Sequence, residues 1–409
     1  MANPPPITRL FTQPSLTATP LPSPSGRYIP CYQPIVDTST GRVAGYESLA
    51  RIRASDGQLR TAAGLFTSGH YAPSAVLRID RDLRQTALNT FAHESQAGFL
   101  ALNICPHWVD RLDQNELIPT LGLIESSGID PARVIVEITE RAGDIDNLRR
   151  LTREYQKQGI RVAIDDFGSG ASQVDRIAAL KPDVIKLDMG LLKAAILGGI
   201  EADIALSVTE MSKRIGCQVI CEGIETEQEY QFALECGADL IQGWIYGKAS
   251  ESLMEAASTV DKTRHLKARY LSRKARAYSD AMAQQEAVGR ELQRLAAQLS
   301  KPGVLPDSML GELNRLGVIR YYICDDAGNQ VSPNIEIATG ETLEAFVGKN
   351  WSHRPYFPQL ISMRERRSKR MVVSNAYRDT TSGILCKTFG TSLPNCQFLL
   401  ADVDVNGTV

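Results

Sequence analysis

The chain has 409 residues, 43% of them hydrophobic and 22% charged, which is enough for a large buried core and a second domain. A formal net charge of −2 leaves no basic footprint, so a nucleic-acid polymer is not among the expected partners. No run of about 18 apolar residues reads as a membrane span, and the eight cysteines show neither a CxxC pair nor zinc-ligand spacing, so they are read as buried free thiols.

Residues 1–27 form an arm rich in Pro, Ser and Thr, with the stretch PPPITRLFTQPSLTATPLPSPSG. It lacks the basic start and apolar core of a secretory signal and is read as disordered, so the expected location is cytoplasmic. From 28 to 250, short apolar runs alternate with segments of helical period: CYQPIV, VAGYESLA, FLALNI, RVIVEI, RVAIDD, DVIKLD, QVICEG and DLIQGW. Eight such strands predict a closed barrel rather than an open sheet. Only DTSTG separates the first two, too short for a parallel crossover, so one strand is expected to run antiparallel. The fold class is thus α/β, a modified (β/α)8 TIM-like barrel. Residues 251–302 are dense in helix formers and end at KPG, which predicts a long connecting helix. Residues 303–409 change character again: VIRYYICDDAGNQV reads as strand, tight turn and strand, and QFLLADVDV as a closing strand of a small α+β domain.

The polar residues fall where the barrel strands end. Gln33, Glu47, Asn103, Glu137, Asp165 with Asp166, Lys186, Glu222 and Gln242 each lie on one of the eight runs, towards the rim where barrels build active sites. Five carboxylates converging on one rim repel one another and require cations. Oxygen ligands without His or Cys point to Mg2+ or Mn2+, and the adjacent Asp165 and Asp166 suit two ions per site, the arrangement used for in-line attack on phosphodiesters. Taken singly, each residue has a plainer explanation: Asp165 and Asp166 as a helix cap, Glu47 and Glu137 as exposed charges, Asn103 as a turn residue, Lys186 as a side chain reaching solvent. Their coincidence on one rim is what those explanations leave out. The histidines form no HExxH-like cluster.

The ordered set YESLAR, LNICP, EITE, DDFGSG, KLD, EGIET and QGW resembles the motif set of the EAL family of cyclic-di-GMP phosphodiesterases. The resemblance covers about residues 28–250 and implies hydrolysis of cyclic di-GMP to linear pGpG. It implies that Glu47, Asn103, Glu137 and Asp165 hold one metal and that Asp165 bridges to a second bound by Asp166. Glu222 is then a nearby ligand or orienting base. Lys186 holds or deprotonates the attacking water, as cations nearby disfavour its charged form. Gln33, Leu49, Arg51, Asp188, Glu225 and Gln242 position the substrate, and Glu140 anchors the DDFGSG loop. The chain departs from the family pattern with Ser48 in place of Ala, with ASQVDRIAAL after the acidic loop, and with QGWIYGKA lacking a proline. None of these removes a metal ligand.

The stretches GKNWSHRPYF and SNAYRDTTSGILCKTFGTSLP in the last domain resemble PAS-like and Cache-type sensor domains, and the tail behind some EAL domains in particular. Trp351, Arg354, Tyr356, Tyr377 and Asp379 are the expected wall of a small-ligand pocket, since Arg and Asp can pair with a carboxylate and an amine between aromatic rings. A packed domain that only dimerises is the competing reading, and a homodimer is expected. The alternatives to an active enzyme are a catalytically silent cyclic-di-GMP receptor and a scaffold barrel. A silent receptor is expected to have lost ligands that this chain keeps.

Overall fold

The computed structural model describes residues 26–67, 70–104, 118–139, 144–169, 174–300, 305–366 and 371–405. Glu140, most of the Pro-rich arm and the KPG stop lie outside the described residues. The chain divides into two units, residues 1–270 and 271–409.

In the first unit the eight apolar runs are all strands: β1 (Arg27–Asp37), β2 (Val43–Arg53), β4 (Phe99–Asn103), β5 (Val134–Thr139), β6 (Arg161–Phe167), β7 (Val184–Leu187), β8 (Gln218–Cys221) and β9 (Leu240–Gln242). A short β3 (Leu59–Thr61) adds to the outer end of β2. The order β1-β9-β8-β7-β6-β5-β4-β2, with β1 also paired to β2, closes the barrel. β1 runs antiparallel to both neighbours, while the pairs from β2 through β4 to β9 are parallel, so the mixed barrel expected from the short first connection is what forms.

Strand periodicity then sets the interior. Ile35, Ala101, Ile135, Ala163, Val184, Ile220 and Leu240 form an apolar plug inside the barrel. Successive side chains on a strand alternate in direction, so the residue two positions along points inward as well. On β4 to β9 that residue is Asn103, Glu137, Asp165, Lys186, Glu222 or Gln242. On the antiparallel β1 it lies two positions earlier, at Gln33. A polar layer therefore sits directly on the apolar plug. The outward faces of the strands pack on the helices through residues such as Leu100, Val136, Val162, Ile185 and Val219.

The long helix spans Val260–Leu299 and begins later than the expected residue 251. The preceding segment is tied to the barrel instead. Tyr46 Oη donates to Met254 O at 2.8 Å and accepts from Met254 N at 3.0 Å, and Val43 N donates to Ala256 O at 2.9 Å.

The second unit holds an antiparallel sheet: β10 (Val318–Cys324), β11 (Asn334–Glu336), β12 (Thr342–Leu343), β13 (Val372–Val373), β14 (Tyr377–Arg378), β15 (Leu385–Ser392) and β16 (Phe398–Asp404). Its order is β12-β11-β10-β16-β15-β13, with β14 on β15. One face packs on Val288, Leu292 and Leu295 of the long helix, and the other on Phe357 and Leu360 of the helix Phe357–Glu365. The second strand expected at Asn329–Val331 forms only isolated bridges, Cys324 to Gln330 and Asn329 to Asn350, and the strand that returns along β10 is β11. Among the described cysteines six are buried free thiols, and Cys396 is exposed, because it lies in the turn between β15 and β16.

Candidate active site

The polar layer is organised around one lysine. Lys186 is 1% exposed, and its Nζ lies 2.6 Å from Glu222 Oε1, 2.7 Å from Glu137 Oε1, 2.9 Å from Asp165 Oδ1 and 3.5 Å from Glu47 Oε2. Burial alone disfavours the ammonium, but Asp165, Glu137, Glu222 and Glu47 together hold the Lys186 pKa well above the ordinary lysine value. This is the opposite direction from the one implied by a lysine between cations, and the cause is the ring of carboxylates.

Five carboxylates (Glu47, Glu137, Asp165, Asp166 and Glu222) surround this single cation, and they are not equivalent. Burial tends to raise Glu47, yet Lys186 and the amides of Gln242 and Asn103 hold it below the usual carboxylate range. Gln242 Nε2 donates to Glu47 Oε2 and Asn103 Nδ2 to Glu47 Oε1, each at 2.7 Å. Burial and the charge of Glu47 push Glu137 up, and burial outweighs Lys186 at Glu222. Burial and the neighbouring Asp165 raise Asp166 to about 6.

Two adjacent acids can serve one site because β6 breaks its alternation there. Its pairing with β7 shifts register between Ile164 and Phe167, and Asp166 takes a φ of 56°, in the left-handed region. Oxygens of Asp165, Asp166 and Glu222 come within 4.8 Å of one another. Hard oxygen donors from five acids around a single lysine fit a pair of divalent cations, whose charge would favour the ionised carboxylates. Asn103, whose nitrogen faces Glu47, offers a cation its other amide atom, Oδ1.

The rest of the expected set surrounds this centre. Gln33 Oε1 accepts from Gln242 Nε2 at 3.3 Å. Gly243 lets the end of β9 approach the segment after Glu222, where a Cβ would meet Ile224 O at 2.0 Å, and Ile224 N bonds Gln242 O at 3.1 Å. Leu49 and Arg51 line a cavity of about 440 Å3 that also touches Asn103, Asp165 and Asp166. Asp188 caps the helix Met189–Ala195 through Gly190 N at 2.8 Å. Glu225 lies 3.7 Å from Lys193 Nζ, in a segment fixed by the capping box of Thr226 and Glu229. The same cavity is walled by Asp80 and Arg84 of the helix Pro73–His93, which the motif reading misses. Their only sequence signal is an Asp and an Arg four residues apart, a common surface pair on helices.

In the second unit, the Arg354 guanidinium lies 5.7 Å from the Trp351 ring and 5.6 Å from the Tyr377 ring. No described carboxylate pairs with it. Tyr356 is buried beside Phe357 and Leu360. Asp379 is engaged elsewhere: its Oδ2 accepts from both Nη atoms of Arg320 at 3.1 Å and from Ser382 Oγ at 2.7 Å. The Arg–Asp pair expected to clasp one ligand is therefore split between two clusters.

Residues 23–249 match the EAL domain family, and residues 256–406 match an EAL-domain associated signalling protein domain. The chain is 27% identical over 385 residues to YkuI of Bacillus subtilis (strain 168), an uncharacterized EAL-domain containing protein, covering 92% of this chain and 94% of that one. The crystal structure of YkuI in complex with substrate c-di-GMP and calcium is similar at a TM-score of 0.81 and 25% identity, over 93% of this chain and 96% of the other. PdeB of Escherichia coli (strain K12), a probable cyclic di-GMP phosphodiesterase, is 27% identical over 225 residues, which are 53% of this chain and 42% of PdeB. No described helix is long and apolar enough to cross a membrane. The barrel and its carboxylate rim lie within the matched residues 23–249, and the chain belongs to the EAL-domain family.

Proposed function

We propose that the chain is a divalent-metal-dependent phosphodiesterase that hydrolyses cyclic di-GMP to linear pGpG. The observation that carries this reading is the rim itself: five carboxylates and Asn103 around Lys186, an excess of negative charge that calls for cations. The similarity to YkuI, whose crystal structure holds c-di-GMP and calcium, supports the choice of substrate.

Glu47, Asn103, Glu137 and Asp165 would hold one Mg2+ or Mn2+, and Asp165 and Asp166 the other, with Glu222 beside them. When bound, such ions activate water and stabilise charge on the phosphoryl oxygens. Lys186 keeps the carboxylates facing one point and donates a hydrogen bond to the attacking water. Gln242 fixes the orientation of Glu47. Arg51, Leu49, Gln33, Asp188 and Glu225 shape and charge the substrate's seat around the cavity mouth.

Regulation by residues 303–409 through the helix Val260–Leu299 belongs to this reading, with Trp351, Arg354 and Tyr377 as the ligand-facing group. So does a homodimer, for which exposed Leu197, Ile200 and Ile204 offer an apolar face. Metal-dependent turnover by the purified chain, with Lys186→Ala and Glu47→Ala beside it, tests the assignment. Activity that survives both substitutions refutes it.

A further inference from the structure

Glu222 and Glu225 sit on a short segment that is held through its backbone. Ile224 lies between them, and both of its polar backbone groups are engaged: Ile224 N donates to Gln242 O at 3.1 Å, and Ile245 N donates to Ile224 O at 2.9 Å. On one side Gly223 takes a φ of 62° against Met189, whose side chain a Cβ would meet at 2.5 Å. On the other side Glu229 Oε2 accepts from Glu225 N at 2.6 Å and from Thr226 N at 2.9 Å. Residues 222–226 therefore have little freedom to move unless Ile245 moves with them.

Ile245 and Tyr246 are gripped in turn by the start of the long helix. Lys262 Nζ donates to Ile245 O. Thr263 Oγ1 and Tyr246 Oη share a hydrogen bond of 2.7 Å, and both residues are buried. The Tyr246 ring meets the Tyr230 ring of the helix Glu227–Cys236 edge-on, with centroids 6.3 Å apart. Further along the long helix, Arg269 Nε lies 2.8 Å from Glu227 Oε1, on the first residue of that same helix. The long helix thus touches the supports of the 222–226 segment on both of its flanks. Docking alone does not require this, because Thr259 Oγ1 already ties the chain just before the helix to Gly41 O at 2.7 Å, in the turn between β1 and β2.

We propose that Lys262 and Thr263 are positioning residues for the rim: through Ile245 and Tyr246 they fix Ile224, and with it Glu222 and Glu225, so that the start of the long helix sets how firmly the rim holds its cations. The assignment rests on the metal-dependent reading of the rim and adds to it a mechanical route from the helix to the site. Groups that orient metal ligands from behind are worth about 10–100-fold in metal affinity or activity.

Mn2+ binding to the full chain, followed by electron paramagnetic resonance, tests the proposal, with cyclic di-GMP turnover measured alongside. Lys262→Met and Thr263→Val keep most of each side chain and remove its hydrogen bond. Each is expected to weaken Mn2+ binding by about 10-fold and to lower turnover at limiting Mn2+ by a similar factor, while Lys262→Arg and Thr263→Ser restore both. Tyr246→Phe removes the Thr263 bond from its other end and is expected to match Thr263→Val. Arg264→Ala is the control, since Arg264 pairs with the exposed Asp261 on its own helix, and it is expected to bind Mn2+ as the wild type does. A folded Lys262→Met, Thr263→Val or Tyr246→Phe protein with wild-type Mn2+ affinity overturns the proposal, whatever its melting temperature. So does an equal loss in Arg264→Ala, which marks general loosening of the helix. A wild type that binds Mn2+ but forms no pGpG overturns the substrate reading and leaves the Mn2+ comparison to decide the proposal. A wild type that binds no Mn2+ overturns the metal reading and the proposal with it.

Discussion

Lys186 Nζ lies 2.6 Å from Glu222 Oε1, the shortest of four contacts that bind one buried ammonium to carboxylates from four different strand ends. Without divalent ions, that lysine is the principal counter-charge of the rim. Lys186→Met should therefore lower the melting temperature of the metal-free protein, because breaking a buried ion pair from one side costs about 3–5 kcal/mol. Added Mg2+ or Mn2+ should raise the melting temperature of the variant more than that of the wild type, since the cation takes over the neutralising role. Equal melting temperatures without metal would contradict the account.

Asp166 separates chemistry from backbone strain. Its φ of 56° suits Asn and Asp far better than a β-branched residue. Asp166→Asn should melt no lower than the wild type, since it removes a repelled charge, and lose metal-dependent turnover by about 100-fold or more, the scale of removing electrostatic stabilisation from a reacting centre. Asp166→Val should lose the same turnover and also about 1–2 kcal/mol of stability. An active Asn variant would remove Asp166 from the site.

The buried cluster of the second unit gives a pH prediction. Arg320 Nη1 lies 3.6 Å from Asp402 Oδ2, and Asp402 Oδ1 accepts from Thr388 Oγ1 at 2.9 Å and from Tyr377 Oη at 3.1 Å. Burial outweighs these partners and raises Asp402 from 3.8 to about 6. The folded form then binds a proton more tightly than the unfolded chain. Its contribution to stability is complete below about pH 4 and is lost as pH rises through about 6, a change of roughly 3 kcal/mol at most. Asp402→Asn mimics the protonated acid. Calorimetric scans should show the variant melting with the wild type near pH 4 and above it at pH 8, and a constant difference across that range would contradict the shift.

The eight barrel strands were legible because parallel strands covered on both faces read as continuous apolar runs. β3 was not, since Leu59, Arg60 and Thr61 are all exposed and carry no pattern. The long helix starts nine residues later than expected because Tyr46 and Val43, far away in sequence, hold Met254 and Ala256 against the barrel. The rim was legible for a geometric reason: Gln33, Asn103, Glu137, Asp165, Lys186, Glu222 and Gln242 each lie two positions from an apolar plug residue. The charge state of Lys186 was not, because it depends on four partners whose distances only the closed barrel sets. Asp80 and Arg84 were invisible for a related reason. Four residues apart on a helix, they look like any surface pair until the cavity wall is seen.

The most direct measurement is hydrolysis of cyclic di-GMP by the purified chain in Mg2+ or Mn2+, with pGpG followed by chromatography and binding measured alongside in Ca2+. The account predicts metal-dependent formation of pGpG that chelation abolishes. Tight binding in Ca2+ with no pGpG in either metal would contradict it and identify the protein as a receptor for the dinucleotide.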